Sequence, residues 1–272
     1  MLTLRPAALA FEAVAPIFDD RFAAWQSVAA QRRAVRRALF DVFPRDGRIF
    51  ELGGGTGEDA AWLAERNFKL LLTDASPAMV ERAMAKLSPL GSRAEMAAAE
   101  ELEVFAEGRA VSGDAPFDGA FSNFAPLNCV DDLSPPARGL ARLLKPGSAA
   151  ILVLFGTIAP GEILVECLRG RPRRALRRFR GGAVQTELGG HNFSVRYHRR
   201  GAIVSAMQPW FKLVRRLGIG IFVPPSAAEP WISRHAWLLN CLERLDQLAR
   251  RPLAILGDHV LYHFERTAVN AP

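Results

Sequence analysis

Seven residues, Glu51-Leu52-Gly53-Gly54-Gly55-Thr56-Gly57, constrain this chain more than any others. They end a short apolar run, Arg48 to Leu52, and precede a helical pattern from Glu58 to Arg66 that Asn67 can close. Glycine at such a junction permits positive φ and lets the backbone approach a ligand with no Cβ in between. A dinucleotide-binding turn would read GxGxxG, but Glu58 stands where its third glycine belongs. The Glu58-Asp59 pair would also repel a pyrophosphate at the helix start. The loop therefore suits a ligand without phosphate, a tight structural turn being the alternative.

From Arg48 to Phe155, short apolar runs alternate with helical stretches, the pattern of repeated βαβ units and a parallel sheet. Further strands are expected at Phe68 to Thr73, Glu95 to Ala99, Phe117 to Ser122 and Ala149 to Phe155. Ser76 followed by Pro77 matches an N-cap with proline at the first helical position. Met79, Val80, Ala83, Met84 and Leu87 give that helix one apolar face. Ser134 is expected to cap another helix, stopping at Lys145-Pro146-Gly147. In the second half, Ile163 to Phe179 reads as helix interrupted by Gly170 and Pro172. Phe193 to Tyr197, Phe211 to Val223 and Val260 to Glu265 read as strands, Ala202 to Gln208 and Trp231 to Leu248 as helices. Val28 to Phe43 is helical, with arginines on its outer face.

Half of the 272 residues are hydrophobic, enough for a sizeable packed core. No apolar run approaches the ~18 residues needed to span a bilayer, and the N-terminal stretch lacks the charged-then-apolar order of a secretory signal. Three separated cysteines, Cys129, Cys167 and Cys241, form no metal-binding spacing or disulfide framework, which places the protein in a reducing, cytoplasmic compartment. No metal site is expected. The net charge of +7 is local: Arg169 to Arg180 holds seven arginines and no acid. This is either a solvated face or a cap that selects an acidic ligand.

Asp74 ends the second strand, where an acid can grip both hydroxyls of a ribose. Here the sequence resembles the class I S-adenosylmethionine-dependent methyltransferases of small molecules. The resemblance rests on Phe50-Glu51-Leu52-Gly53-Gly54-Gly55-Thr56-Gly57, Leu72-Thr73-Asp74-Ala75-Ser76-Pro77-Ala78-Met79, Phe117-Asp118-Gly119-Ala120-Phe121-Ser122-Asn123-Phe124 and Leu143-Leu144-Lys145-Pro146-Gly147, in the family's order. It implies an α/β, Rossmann-like methyltransferase fold: a mostly parallel seven-stranded sheet flanked by helices, with helical cap insertions. The implied division is a helical lid over residues 1–46, a cofactor-binding core over 47–156, a cap insertion over 157–200, and completion of the sheet, with a helical insertion, over 201–272.

By resemblance, S-adenosylmethionine is the cofactor. Glu51, Gly53, Gly54, Gly55 and Gly57 meet its methionine part and Asp74 its ribose. Ala75 and Met79 pack on adenine, although core packing explains Met79 equally. The family's adenine-side acid after the third strand is alanine here, leaving Ala99 and Glu100 to contribute backbone contacts. Asn123 lines the sulfonium. Phe11 to Asp19 resembles a lid segment in which tyrosine often stands at Phe18, and Arg33, or its neighbour Arg32, is a candidate for the cofactor carboxylate. No general base is recognisable. His191, His198 and Tyr197 are weak candidates, as is His259, and for each a plain hydrogen-bonded role is the simpler reading. The cap is expected to combine residues 157–180 with Phe11 to Trp25, hinged at Gly156, Gly161, Gly170 and Gly181. The acceptor is expected to be a small, apolar, acidic molecule, with an acidic carrier protein or an anionic membrane surface as partner rather than nucleic acid. RNA methylation and non-catalytic cofactor binding are the rival readings.

Overall fold

The computed structural model describes residues 4–180 and 182–270, so the hinge expected at Gly181 lies outside the described residues. The chain opens with α1 (Pro6–Val14), α2 (Phe18–Ala23) and α3 (Gln26–Val42). Then β1 (Arg48–Leu52), α4 (Glu58–Ala64), β2 (Lys69–Asp74), α5 (Pro77–Leu87), β3 (Arg93–Met96), α6 (Leu102–Val111), β4 (Phe117–Ser122), α7 (Ser134–Leu143) and β5 (Leu144–Phe155) alternate. The remainder comprises α8 (Pro160–Leu168), α9 (Pro172–Ala175), a hairpin of β6 (Ala183–Leu188) and β7 (His191–Arg196), α10 (Arg200–Met207), β8 (Phe211–Ile219), α11 (Ala236–Ala249) and β9 (His259–Arg266).

Seven strands form one sheet in the order β3-β2-β1-β4-β5-β9-β8, parallel except where β9 runs antiparallel to β5 and β8. Its central strands are apolar on both faces because both are covered. Val35 and Leu39 of α3, Leu63 of α4 and Leu87 of α5 pack on the side of Ile49, Phe121 and Ile151. Leu102 of α6, Leu140 of α7 and Ile203 of α10 pack on the side of Phe50, Leu152 and Phe264. The order reverses between β1 and β4, so the crevice beyond the carboxyl ends of β1, β2, β4 and β5 is where such a sheet takes ligands.

Several local expectations shift. The third strand spans Arg93 to Met96 instead of Glu95 to Ala99, because its ladder with β2 ends at Asp74↔Met96 and a 3-10 turn begins at Ala99. Ser134 does not cap α7: its amide donates to Asp132 Oδ1 at 2.9 Å, so the aspartate supplies the cap. Lys145-Pro146-Gly147 opens β5, where a bulge takes up the register shift against β4. The strand expected to reach Val223 ends at Ile219, as Gly220 turns with φ +67°. The helix expected from Trp231 begins at Ala236, after a separate 3-10 turn, Ile232–Arg234.

The cap also differs. The lid helix α1 packs against the hairpin, Phe11 meeting Phe193 with ring centroids 6.0 Å apart. Helices α8 and α9 are pinned elsewhere, at the β5 and β9 edge. Gly156 is fixed there, since a Cβ would stand 2.1 Å from the Gly257 carbonyl oxygen. The hairpin strand β6 escaped sequence reading because its residues alternate between partly covered and exposed, and only the Gly189-Gly190 turn marked it.

Candidate functional site

Between β1 and α4 the glycine loop is anchored to β2, with the Gly53 and Gly54 amides both donating to the Thr73 carbonyl. A Cβ would stand 2.5 Å from Pro126 at Gly53, 2.3 Å from Leu72 at Gly54 and 3.1 Å from Ala83 at Gly57. Those three glycines are required by packing. Gly55 has φ +55° and nothing within 4 Å of its Cβ position, so it alone presents bare backbone to open space. Its amide donates to Asp74 Oδ2 at 2.9 Å, and the Ser76 amide to Oδ1 at 3.0 Å. Each carboxylate oxygen keeps a second acceptor site for a ligand hydroxyl. Burial pushes the Asp74 pKa up, against the pull of these amides, and Glu12 adds to the rise.

Glu51 lies directly under this loop and is 2% exposed. Its Oε2 has no hydrogen-bond partner among the described residues. Burial, then the nearby Asp59, raise its pKa well above the usual carboxylate value, opposed by Arg32 and Arg36. An unpartnered buried carboxyl is costly and becomes favourable when a cation is brought beside it.

The N-terminal segment is latched over this edge by two acids. Glu12 Oε2 accepts from the Ser76 hydroxyl and, at 2.9 Å, from the Ala78 amide, capping α5. Asp19 accepts from Thr56 of the glycine loop and pairs with Lys86 at 2.7 Å. Beneath the latch, Val14, Ala15 and a fully buried Met79 form a small core, with Phe11, Phe18, Ala78 and Leu188 packed against it. The Met79 side chain is therefore packing, whereas Ala75 stays half-buried beside Asp74. Ala99 and Glu100 are half-buried, and Arg5 lies 3.6 Å from both Glu100 and Glu101. Sequence reading missed Arg5, Glu12 and Asp19, because a contact made by a charged side chain with an element far along the chain leaves no local pattern.

Of the two arginines considered, both line one groove, and Arg33 is paired with Glu243 of α11. Arg32 faces the site. It lies 5.1 Å from the centroid of the Phe124 ring and near Glu58 and Asp59, and its Nε has no hydrogen-bond partner. A groove of ≈330 Å³ between α2, α3 and the start of α4 is lined by Phe18, Phe22, Arg32, Arg36 and Glu58, among others. Asn123 spends its amide on the scaffold: Nδ2 donates to Asp59 at 2.8 Å and Oδ1 accepts from the Phe124 amide. Phe124 and Ala125 both have positive φ, +55° and +65°. Such strain is held only where the surroundings enforce it, and here it turns the Phe124 ring toward Arg32 and His259.

The β5 and β9 edge carries an aromatic group. His259 stacks on Phe155 at 4.8 Å and meets Phe124 edge-on at 5.7 Å, and Tyr197 lies 5.8 Å from Phe155. Beside it is a buried ionic cluster. Arg178 donates to the carbonyls of Gly156 and Asp258, to Glu162, and to Asp258 Oδ1 at 2.6 Å. Burial works against ionising Asp258, but His259 and Arg178 outweigh it and hold its pKa low. Burial lowers the pKa of His259, whose Nδ1 lies 3.5 Å from Asp258. The arginine-rich segment thus divides. Arg178 is 5% exposed and neutralised, Arg177 pairs with Glu162, and Arg169, Arg171, Arg173 and Arg174 are exposed.

These features have counterparts in known proteins. Residues 49–147 match the model of a methyltransferase domain, the span that holds the glycine loop, Asp74 and Asn123. This span is therefore a methyltransferase domain. Solved structures share the fold of this methyltransferase at low identity. The CcbJ methyltransferase from Streptomyces caelestis is 15% identical with TM-score 0.59, over 95% of this chain and 98% of that one. A putative S-adenosylmethionine-dependent methyltransferase from Listeria monocytogenes is 14% identical with TM-score 0.55, over 88% and 99%. A putative methyltransferase in complex with the Trm112 activator from Haloferax volcanii is 15% identical with TM-score 0.55, over 98% and 100%. Among curated proteins none matches the sequence.

The methyltransferase's residues suit its cofactor: bare backbone at Gly55, an unpartnered buried carboxyl at Glu51 for a cation, and open acceptor sites on Asp74. Among the described residues no cluster of three metal-ligating side chains exists, and no helix is long and apolar enough to cross a membrane. The base candidates fall in different places. His191 is exposed at the hairpin turn. Nε2 of His198 lies 3.2 Å from the Leu127 carbonyl and 2.9 Å from that of Val130, so it carries the proton and ties down the turn after β4. Tyr197 is buried, with its pKa pushed up by that burial. His259 opens β9 and pairs with Phe155 at the ligand edge of the sheet.

Proposed function

We propose that the enzyme methylates a small, mainly apolar acceptor bearing an acidic group, lipid-like or a natural-product intermediate. The observation that carries this reading is the aromatic group of Phe124, Phe155, Tyr197 and His259 at the carboxyl ends of β4 and β5, with Arg32 over Phe124. When bound, S-adenosylmethionine supplies an electrophilic methyl group on a positively charged sulfur. The protein's task is alignment and exclusion of water. In this reading Asp74 and Gly55 hold the ribose side, Glu51 compensates cofactor charge from beneath the loop, and the Glu12 and Asp19 latches keep the lid down. Arg32 replaces Arg33 as the cation for a carboxylate, whether of the cofactor or of an acceptor bound beside it. Where the acceptor must lose a proton, His259, neutral because burial lowers its pKa, is the group to receive it.

The outward arginines of the cap then belong to a partner, an acidic carrier protein or an anionic membrane surface, rather than to the acceptor. Three free cysteines fit the reducing cytoplasm. The test is incubation with labelled methyl donor and fractionated cell extract. Label in an acidic small-molecule fraction, reduced by Arg32→Gln and by Phe155→Ala, is expected. Label recovered only in RNA sinks this reading. An Arg32→Gln enzyme with weakened affinity for S-adenosylhomocysteine but unchanged acceptor KM assigns Arg32 to the cofactor.

A further inference from the structure

The arginine run of the cap, Arg169 to Arg180, follows directly on α8, and the fold decides which side chains of the two face outward. Arg178 points inward and is fixed by Glu162, Asp258 and two backbone carbonyls. Glu162 and Glu166, one helical turn apart, are buried on the inner side of α8, and Val165 packs on the small core of Val223, Ile232 and Leu239. The opposite side of α8 therefore faces out, and it carries Leu164 and Leu168, 60% and 80% exposed. Leu176 and Phe179, on the next turns, are also about half exposed. Between these apolar side chains stand Arg169, Arg171, Arg173 and Arg174, all exposed, with no carboxylate within ion-pair distance among the described residues.

Four large apolar side chains exposed on one short, pinned segment are costly in water. The four guanidinium groups between them, with no carboxylate partner among the described residues, give the same segment a positive field. We propose that this outer face of α8 and α9 docks the enzyme on an anionic lipid surface. The inference rests on the reading above that these arginines serve a partner, and it names that partner. Guanidinium groups meet lipid phosphates, while Leu164, Leu168, Leu176 and Phe179 enter the boundary between headgroups and acyl chains. Aliphatic side chains interleaved at this density suit neither a nucleic-acid backbone, which needs cations and stacking rings, nor plain solvent. The Arg178 anchor adds preorganisation: the face is already ordered, so docking need not order it.

Co-sedimentation of the full-length protein with vesicles of phosphatidylcholine alone, and of phosphatidylcholine mixed with phosphatidylglycerol, tests this. Binding to the mixed vesicles only, declining steeply with salt, is expected. Arg171→Gln/Arg173→Gln/Arg174→Gln should weaken it on the order of 100-fold at low salt. Leu164→Ser/Leu168→Ser should weaken the part that resists salt. Both variants lie outside the cofactor site, so their affinity for S-adenosylhomocysteine should equal that of the parent, which also reports folding. A protein that binds S-adenosylhomocysteine yet ignores anionic vesicles overturns the lipid surface and leaves the methyl-donor reading standing. So does vesicle binding that neither variant changes, or tight binding of a short single-stranded RNA through the same arginines with none to vesicles.

Discussion

Two ends of one sheet edge are built from different materials. At β1 and β2 the site is made of backbone: the Gly55 and Ser76 amides fix Asp74, and three glycines allow close packing. At β5 and β9 it is made of ionised side chains far apart in sequence, with Arg178 joining Glu162 to Asp258, and Asp258 beside His259 and Gln31. The first arrangement joins the ends of adjacent strands, Gly55 and Asp74 standing 19 positions apart. The second ties segments 80 positions apart, Arg178 to Asp258. In the function proposed above, the first end serves the cofactor and the second shapes the acceptor side.

Breaking the ionic end should have the largest effect on stability. Arg178→Met leaves Asp258 buried without its guanidinium and Glu162 with Arg177 alone, and should cost about 3–5 kcal/mol in urea unfolding; a loss below ~1 kcal/mol would show that the cluster is not a structural anchor. At the backbone end the expected loss is in binding. Asp74→Ala removes two hydrogen bonds to a charged group, about 1.5–3 kcal/mol each, and calorimetry with S-adenosylhomocysteine should show it. Affinity equal to the parent's would remove Asp74 from the ribose. Gly55→Val should weaken the same binding while disturbing the left-handed backbone.

Glu51→Gln sharpens the contrast. Its folded pKa is raised, so the unfolded chain ionises first as pH climbs past about 4.5, and stability falls from there until the folded carboxyl also ionises, the loss persisting at higher pH. The glutamine variant should melt higher than the parent at neutral pH yet bind the cofactor product more weakly. A variant that melts no higher would contradict the burial argument. Burial also lowers the pKa values of His198 and His259. The unfolded state therefore takes up their protons first as pH falls below about 6.5, and stability contributed by the neutral rings is lost between there and the folded values. His259→Gln should flatten that part of a stability-against-pH profile. The smallest effect belongs to Arg173→Gln, expected to change unfolding free energy by no more than about 0.5 kcal/mol.

Much of the backbone end was legible from residue order. The glycine run, Asp74 and Ser76-Pro77 each stand at a strand-to-helix junction, and that recurring order carries the geometry even though Gly55 and Asp74 are 19 positions apart. The other end was readable only as parts. His259 was one of several histidines, Arg178 one of seven arginines in a run, and Glu162 an ordinary helical acid. The sequence left Arg32 and Arg33 both as candidates for the same reason: adjacent residues on a helix point about 100° apart, and only packing decides that Arg32 is the one beside Phe124.

The sequence by itself determined the alternation of strand and helix, the bare-backbone loop and the acid at the end of β2, because each depends on local periodicity and on glycine's freedom at φ +55°. Only the tertiary structure decided that α1 closes on the hairpin rather than on α8, that Arg178 turns inward while Arg169, Arg171, Arg173 and Arg174 stay exposed, and that His259 reaches the ligand edge. Those outcomes are set by burial, since a charge leaves water only where folding has already brought its counter-charge.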